Sequence, residues 1–155
     1  MKNIPLNHGL FAIVDDEDYD YLMAFKWYAY FRHGNTYART AIWGNGKTKV
    51  IWMHRLIIGA IMPSHVDHKD HNGLNNQKNN LRLCTPQQNR FNSKPNGYKG
   101  VKLVKSTNRF ESRIKFDGRL IQLGTFGKAK DAAMAYNKKA IELFGEFACL
   151  NIITP

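Results

Sequence analysis

Within residues 66–90 one carboxylate, Asp67, sits directly beside one imidazole, His68, and two carboxamides, Asn80 and Asn89, follow at wider spacing. An imidazole with a free pKa near neutrality is suited to deprotonating water. A carboxylate and an amide oxygen suit a hard divalent cation, Mg2+ or in its place Mn2+, and two protein ligands leave coordination positions for substrate and water. The Asn80 carbonyl can accept the proton on the far ring nitrogen of His68 and so fix its tautomer. Together these groups suit hydrolysis assisted by a single metal ion. Taken singly they have plainer readings: a turn cap for Asp67, a satisfied buried ring for His68, turn and helix-start residues for Asn80 and Asn89.

Positioning these groups falls to short elements. A strand or turn covers residues 64–68, a polar loop covers 70–80, and the chain returns through Leu81-Arg82-Leu83. Thr85-Pro86-Gln87-Gln88 then reads as a helix start, with Thr85 and Gln88 as a capping box and Pro86 at the first helical position. Asn89 falls in the first turn, and Pro95 with Asn96-Gly97 stops the helix near Lys94. The order is ββα. One tension remains, because neighbours on an ideal strand point to opposite faces. Asp67 and His68 serve one site only if the strand ends or twists there.

The whole chain is basic, with 23 Lys and Arg against 12 Asp and Glu in 155 residues and a net charge of +11. Residues 1–92 carry 11 basic and 7 acidic side chains and residues 93–155 carry 12 and 5, so the second part is the more basic per residue. Such an excess favours a polyanion. No apolar run approaches the roughly 20 residues of a spanning helix, so no membrane partner is expected. The first five residues lack a signal-peptide core. Cys84 and Cys149 stand far apart, which fits a reducing cytoplasm and excludes a thiolate zinc site.

The region before the chemistry reads as β-rich. Residues 10–14, 27–31 and 37–41 are strand-like, with turn signals at 33–35 and 44–46. The acidic cluster Asp15-Asp16-Glu17-Asp18 leads into a short helical stretch over 18–26. Residues 50–58 are apolar enough for a buried strand or a buried helix, and periodicity does not choose between them. Trp27, Tyr28, Tyr30 and Phe31 read most simply as core, with base stacking in an RNA-binding module as the alternative. His8, His33, His54 and His65 read as structural or surface, and Arg55 and Arg82 as phosphate contacts or core-edge residues.

Residues 54–92 resemble the HNH endonucleases, the ββα-metal nucleases, and within them the phage and intron-encoded group. Asp67-His68, Leu74-Asn75-Asn76 with Asn79-Asn80-Leu81-Arg82, and Gln88-Asn89-Arg90 carry the resemblance. It implies His68 as general base, Asp67 and Asn89 as metal ligands, and Asn80 as the residue that orients the base and supports the loop. His71 departs from the pattern, since many relatives have Gly or another small residue there; it reads as an exposed turn residue.

After the stretch 93–97, residues 98–104, 110–116 and 120–126 read as three strands with turns at 106–108 and at Asp117-Gly118, a specific hairpin signal. From Lys128 to Phe144 the period changes. Ala132, Ala133, Ala135, Tyr136, Ala140, Ile141 and Phe144 form an apolar helix face, and Gly145 stops it. Residues 97–151 resemble the AP2 DNA-binding domain through Gly97-Tyr98-Lys99-Gly100-Val101, Leu123-Gly124-Thr125-Phe126, Ala132-Ala133 with Ala135-Tyr136-Asn137, and residues 144–151. In that family the open sheet face enters the major groove, and its contact positions fall on Lys99, Lys102, Arg113, Lys115 and Gln122. Gln122 stands where the plant proteins often have Trp, so their target sequence does not carry over.

The expectation is thus an α+β protein: an HNH domain over residues 1–94, with its ββα core at about 64–94, and an AP2-like βββα domain over 97–155. It would cut duplex DNA with a divalent ion, nicking one strand per site, as a monomer or homodimer in the cytoplasm of a bacterium or phage-infected host. The competing expectation is a non-catalytic DNA-binding regulator with a decayed HNH unit. Against it, Asp67, His68 and Asn89 are all present.

Overall fold

The computed structural model describes residues 1–32 and 34–153, so His33 lies outside the described residues. The chain divides into two compact units, Met1–Asn89 and Arg90–Pro155. Helices and antiparallel strands are both present, and the molecule is compatible with an α+β protein.

In the first unit β1 (Lys2–Pro5) and β2 (Phe11–Val14) form an antiparallel hairpin, and α1 (Asp16–Met23) follows. A three-stranded sheet comes next in the order β3 (Tyr28–Arg32), β4 (Asn35–Gly44), β5 (Lys47–Trp52). The apolar run at 50–58 becomes both elements that its pattern allowed: β5 ends at Trp52 and α2 (Met53–Ile58) begins at once. Gly59, with φ +65, closes that helix in the left-handed conformation glycine adopts without strain. Ile4, Ala12, Val14, Leu22, Trp27, Ala38 and Met53 form the core. Trp27 is fully inside and donates Nε1–H to Leu22 O at 2.8 Å, whereas Phe31 is 61% exposed.

Then come β6 (His65–His68), β7 (Leu81–Cys84) and α3 (Pro86–Phe91), the ββα order expected. The capping box forms as its residues predict. Gln88 N–H donates to Thr85 Oγ1 at 3.1 Å, and Thr85 N–H donates to Gln88 Oε1 at 2.8 Å.

In the second unit β8 (Val101–Val104), β9 (Arg109–Phe116) and β10 (Arg119–Phe126) form an antiparallel sheet in the order β10-β9-β8, followed by α4 (Ala129–Phe144). Ala132, Ala133 and Ala140 are fully buried. Ile114, Tyr136, Ala140 and Phe144 make the core, with Phe91 stacked on Phe144 at 3.8 Å between centroids. Phe91, just past the division between the two compact units, belongs to this core. Gly100, at φ +74, leaves no room for a Cβ against the Tyr136 ring. Asn137 and Asn151 bond reciprocally, at 2.7 and 2.9 Å, and Asn151 Oδ1 also accepts from Lys99 N–H at 2.6 Å. Those two asparagines tie the helix and the C-terminal segment to the entry of the sheet.

Candidate active site

The loop between β6 and β7 has almost no regular structure, and side chains hold it. Asp70 is its hub. Its Oδ1 accepts from Asn72 N–H at 2.8 Å and from Asn80 Nδ2 at 2.9 Å, and its Oδ2 accepts from Asn75 Nδ2 at 2.8 Å. Burial pushes the Asp70 carboxyl up, but those hydrogen bonds and the His68 charge outweigh it, and its pKa lies below the usual value. The loop is also sewn to β2: Ile13 N–H donates to Leu74 O at 2.8 Å and Asn76 N–H to Ile13 O at 2.7 Å. From the acidic cluster, Asp15 accepts from Gln77 Nε2 at 3.0 Å and from Lys78 N–H at 2.8 Å. That cluster is thus the first turn of α1 and an anchor for the loop.

Two loop residues show why small residues suit such positions. His71 adopts φ +66, and its N–H donates to His68 O at 3.0 Å. Glycine adopts that left-handed conformation without strain, whereas histidine rarely does. At Gly73 a Cβ would fall against Thr36 O and within 2.7 Å of the Tyr37 ring.

Asp67 and His68 are the last two residues of β6 and are 6% and 5% exposed. They stand opposite Arg82 and Leu81 in the β6–β7 register. Arg82 donates Nε and Nη2 to Asp67 Oδ2 at 2.9 and 2.7 Å, so its role is internal. Arg55 likewise donates to Ser64 O at 2.9 Å and Ala60 O at 3.2 Å, clamping the link from α2 to β6.

His68 lies among groups the sequence did not assign to it. Asn76, fully buried, places Oδ1 3.4 Å from His68 Nε2. The Asn76 amide is oriented by its Nδ2 donating to Leu74 O at 3.1 Å. An amide oxygen only accepts, so this pairing puts the ring proton on Nε2. Asn80, expected in that role, instead accepts from Asp70 N–H at 3.1 Å and donates to Asp70 and Asn75. It shapes the loop, and its neighbour four residues back faces the ring. Asn76 was visible as part of the Leu74-Asn75-Asn76 run, but asparagine-rich loops give no hint of which amide faces inward.

Two aromatic neighbours complete the surroundings. His54 meets the His68 ring edge-on at 5.2 Å, and Tyr37 lies at 5.9 Å. Burial, then the neighbouring charges of His68 and Arg55, lowers His54 to about 3, and its buried Nδ1 has no hydrogen-bond partner. Burial also lowers His68, against opposing pulls from Asn76, Asp70 and Asp67. Two imidazoles in edge contact are tolerable because both stay neutral at neutral pH.

Asn89 is half-buried in α3, with its N–H on Thr85 O at 3.0 Å. Among the described residues no three of His, Cys, Asp and Glu cluster as metal ligands. The second unit presents its basic residues differently. Ile114, Ile121 and Leu123 face α4, so alternation puts Arg113, Lys115 and Gln122 on the other sheet face, with Gln122 opposite Arg113. Lys102 stands opposite Glu111 on that same face. Lys99 precedes β8, and its Nζ donates to Phe91 O and Ser93 O, both at 2.6 Å. Burial lowers its pKa.

Among the described residues no helix is long and apolar enough to cross a membrane. No model of a known protein family matches the chain. Among curated proteins it is similar to an uncharacterized HNH endonuclease of Acanthamoeba polyphaga mimivirus, with 38% identity over 149 residues that cover 94% of this chain and 76% of that protein.

Proposed function

The chain belongs to the HNH endonuclease family, and from that premise we propose that it is a metal-dependent DNA endonuclease that hydrolyses one phosphodiester bond of duplex DNA per site. The observation that carries this reading is the His68 ring, buried at the end of β6 and addressed on Nε2 by the oriented Asn76 amide. With the proton on Nε2, Nδ1 is the basic nitrogen and takes the proton from the attacking water. The lowered pKa keeps that nitrogen unprotonated at neutral pH. Asn80 and Asp70 keep the loop in the shape that holds Asn76 in place.

The donor chemistry suits a hard divalent cation such as Mg2+. Asp67 offers carboxylate oxygens and Asn89 an amide oxygen, the hard donors such an ion takes. Arg82 holds the Asp67 carboxylate in one orientation. Bound there, the ion would supply positive charge to the phosphate and the leaving 3′ oxygen.

The second unit is proposed as an AP2-like grip on the duplex, through Lys102, Arg113, Lys115 and Gln122 on its open face. Arginine and glutamine read base edges, and the lysines neutralise phosphate. Lys99 is split between this role and its bonds to Phe91 and Ser93.

Plasmid relaxation by the purified chain, with Mg2+ or Mn2+ against EDTA and beside His68→Ala, tests the proposal. Metal-dependent nicking, lost in the variant while duplex binding survives, is expected. Binding without nicking in any metal would leave the DNA-binding regulator.

A further inference from the structure

The β3–β4–β5 sheet carries a surface that the chemistry above does not use. Between Asp20 and Asp67 the sequence contains no Asp or Glu, and it contains six Lys and Arg: Lys26, Arg32, Arg39, Lys47, Lys49 and Arg55. The register sets Tyr28 and Trp52 on either side of Arg39, and Tyr30 beside Tyr37. Alternation puts these five on one face, with Trp43 and Val50 farther out, while Lys47 and Lys49, opposite Gly44 and Ile42, lie on the reverse face of the same ribbon. Ala38 and Thr40, on the other face, are buried. The first face begins at the candidate base, since Tyr37 lies 5.9 Å from His68. The Arg39 guanidinium lies over the Tyr30 ring, 3.8 Å from its centroid, and 5.9 Å from that of Trp52.

Beyond Thr40 the β4–β5 hairpin leaves the core. Residues 41–50 are all exposed, Trp43 at 72%. The ribbon turns through Asn45 and Gly46 at φ +50 and +72, the positive angles of a tight two-residue turn. A bare tryptophan and two lysines on an unsupported ribbon add nothing to folding and expose apolar area to water. A two-stranded ribbon is of a size the DNA major groove admits, and its lysines match the phosphates that line the groove.

We propose that the β4–β5 ribbon is a second duplex-contacting surface, seated in a groove beside the scissile phosphate. Trp43 makes the apolar contact with base edges, and from the reverse face the long Lys47 and Lys49 side chains reach out to the phosphates that flank the ribbon. The assignment rests on the nuclease reading, which makes duplex DNA the substrate. Single-stranded RNA fits less well. Tyr30 and Tyr37 meet Trp52 edge-on at 75° and 89°, and Arg39 covers Tyr30, so these rings are engaged by their neighbours rather than open to stacking bases. A-form RNA in turn closes its major groove to side chains.

The test uses the full chain in EDTA, a labelled short duplex of mixed sequence, and the variant Trp43→Ala/Lys47→Ala/Lys49→Ala. The affinity should fall at least about tenfold, and the log–log salt slope should shrink by about 2, one phosphate for each lysine. Nicking with Mg2+ at sub-saturating protein should fall by the same factor as the affinity. Unchanged affinity and slope would overturn the assignment, and so would single-stranded RNA of equal length displacing the duplex. Should the triple variant unfold, Lys47→Glu/Lys49→Glu keeps the test, with a larger loss of affinity expected and wild-type binding refuting. Because binding is read without metal, a wild-type chain that binds but never nicks would refute the enzyme and leave this result standing.

Discussion

The two units fix the direction of their side chains by opposite means. In the Arg90–Pro155 unit the pleat does the aiming: α4 covers one sheet face, and strand alternation delivers Lys102, Arg113, Lys115 and Gln122 to the other. In the Met1–Asn89 unit the working loop has no ladder of its own. Its shape comes from amide and carboxylate side chains and from partners some sixty residues away, such as Asp15 with Gln77 and Lys78. A pleated surface tolerates the loss of one member; a sewn loop does not. The first unit also holds all six histidines of the chain, so pH should act on it and not on the second.

The largest expected effect is that of His68→Ala, which should slow nicking by about 10²–10⁴-fold and leave binding intact. Equal rates would remove His68 from its role and erase the contrast between a cutting unit and a gripping one. Next comes acid. His54 has a folded pKa of about 3 against 6.5 in the open chain. Above pH 6.5 both states are neutral and the stability is fully present. As the pH falls from 6.5 toward 3 the unfolded chain takes up a proton the folded one refuses, and stability is lost by up to about 1.4 kcal/mol per unit. Urea unfolding of the wild type between pH 7 and 5 should show that loss, and His54→Phe should reduce it, the remainder belonging to His68, whose pKa burial also lowers; an equal slope in the variant would contradict a buried neutral His54. Asp15→Ala should then cost about 2 kcal/mol, because it orphans the Gln77 amide and the Lys78 N–H. Lys105→Ala, in a turn of the second unit, should stay within about 0.5 kcal/mol. If the two substitutions cost the same, the loop is not sewn as described. Smallest is Arg113→Ala, expected to weaken duplex binding by about 1 kcal/mol or somewhat more without changing the unfolding midpoint. Lys99→Ala should do the reverse, lowering the midpoint more than the affinity.

Legibility followed the same divide. The three strands of the second unit, the Asp117-Gly118 turn and α4 were readable from alternation, turn chemistry and a change of period, because each signal is local. The β6-β7-α3 order and the capping box were readable for the same reason. The partners of the base were not. His54 looked like any histidine on an apolar run, and its place beside His68 depends on the switch from strand to helix at Met53, which periodicity left open. Asn76 and Asn80 are chemically identical, and only the pairing of the loop with Ile13 decides which one faces the ring. Arg82 reads in the sequence as a phosphate contact or as a surface or core-edge residue, and only the β6–β7 register, which sets it opposite Asp67, decides between them.

The stitch between Ile13 and residues 74–76 bears on how this chemistry can be moved between proteins. A segment copied from 64 to 94 would transplant the proposed base and both proposed ligands, yet it would arrive without the strand peptide and the Asp15 carboxylate that clamp its middle. The smallest heritable cassette is therefore the whole first unit, and recombination inside it should yield inert hybrids.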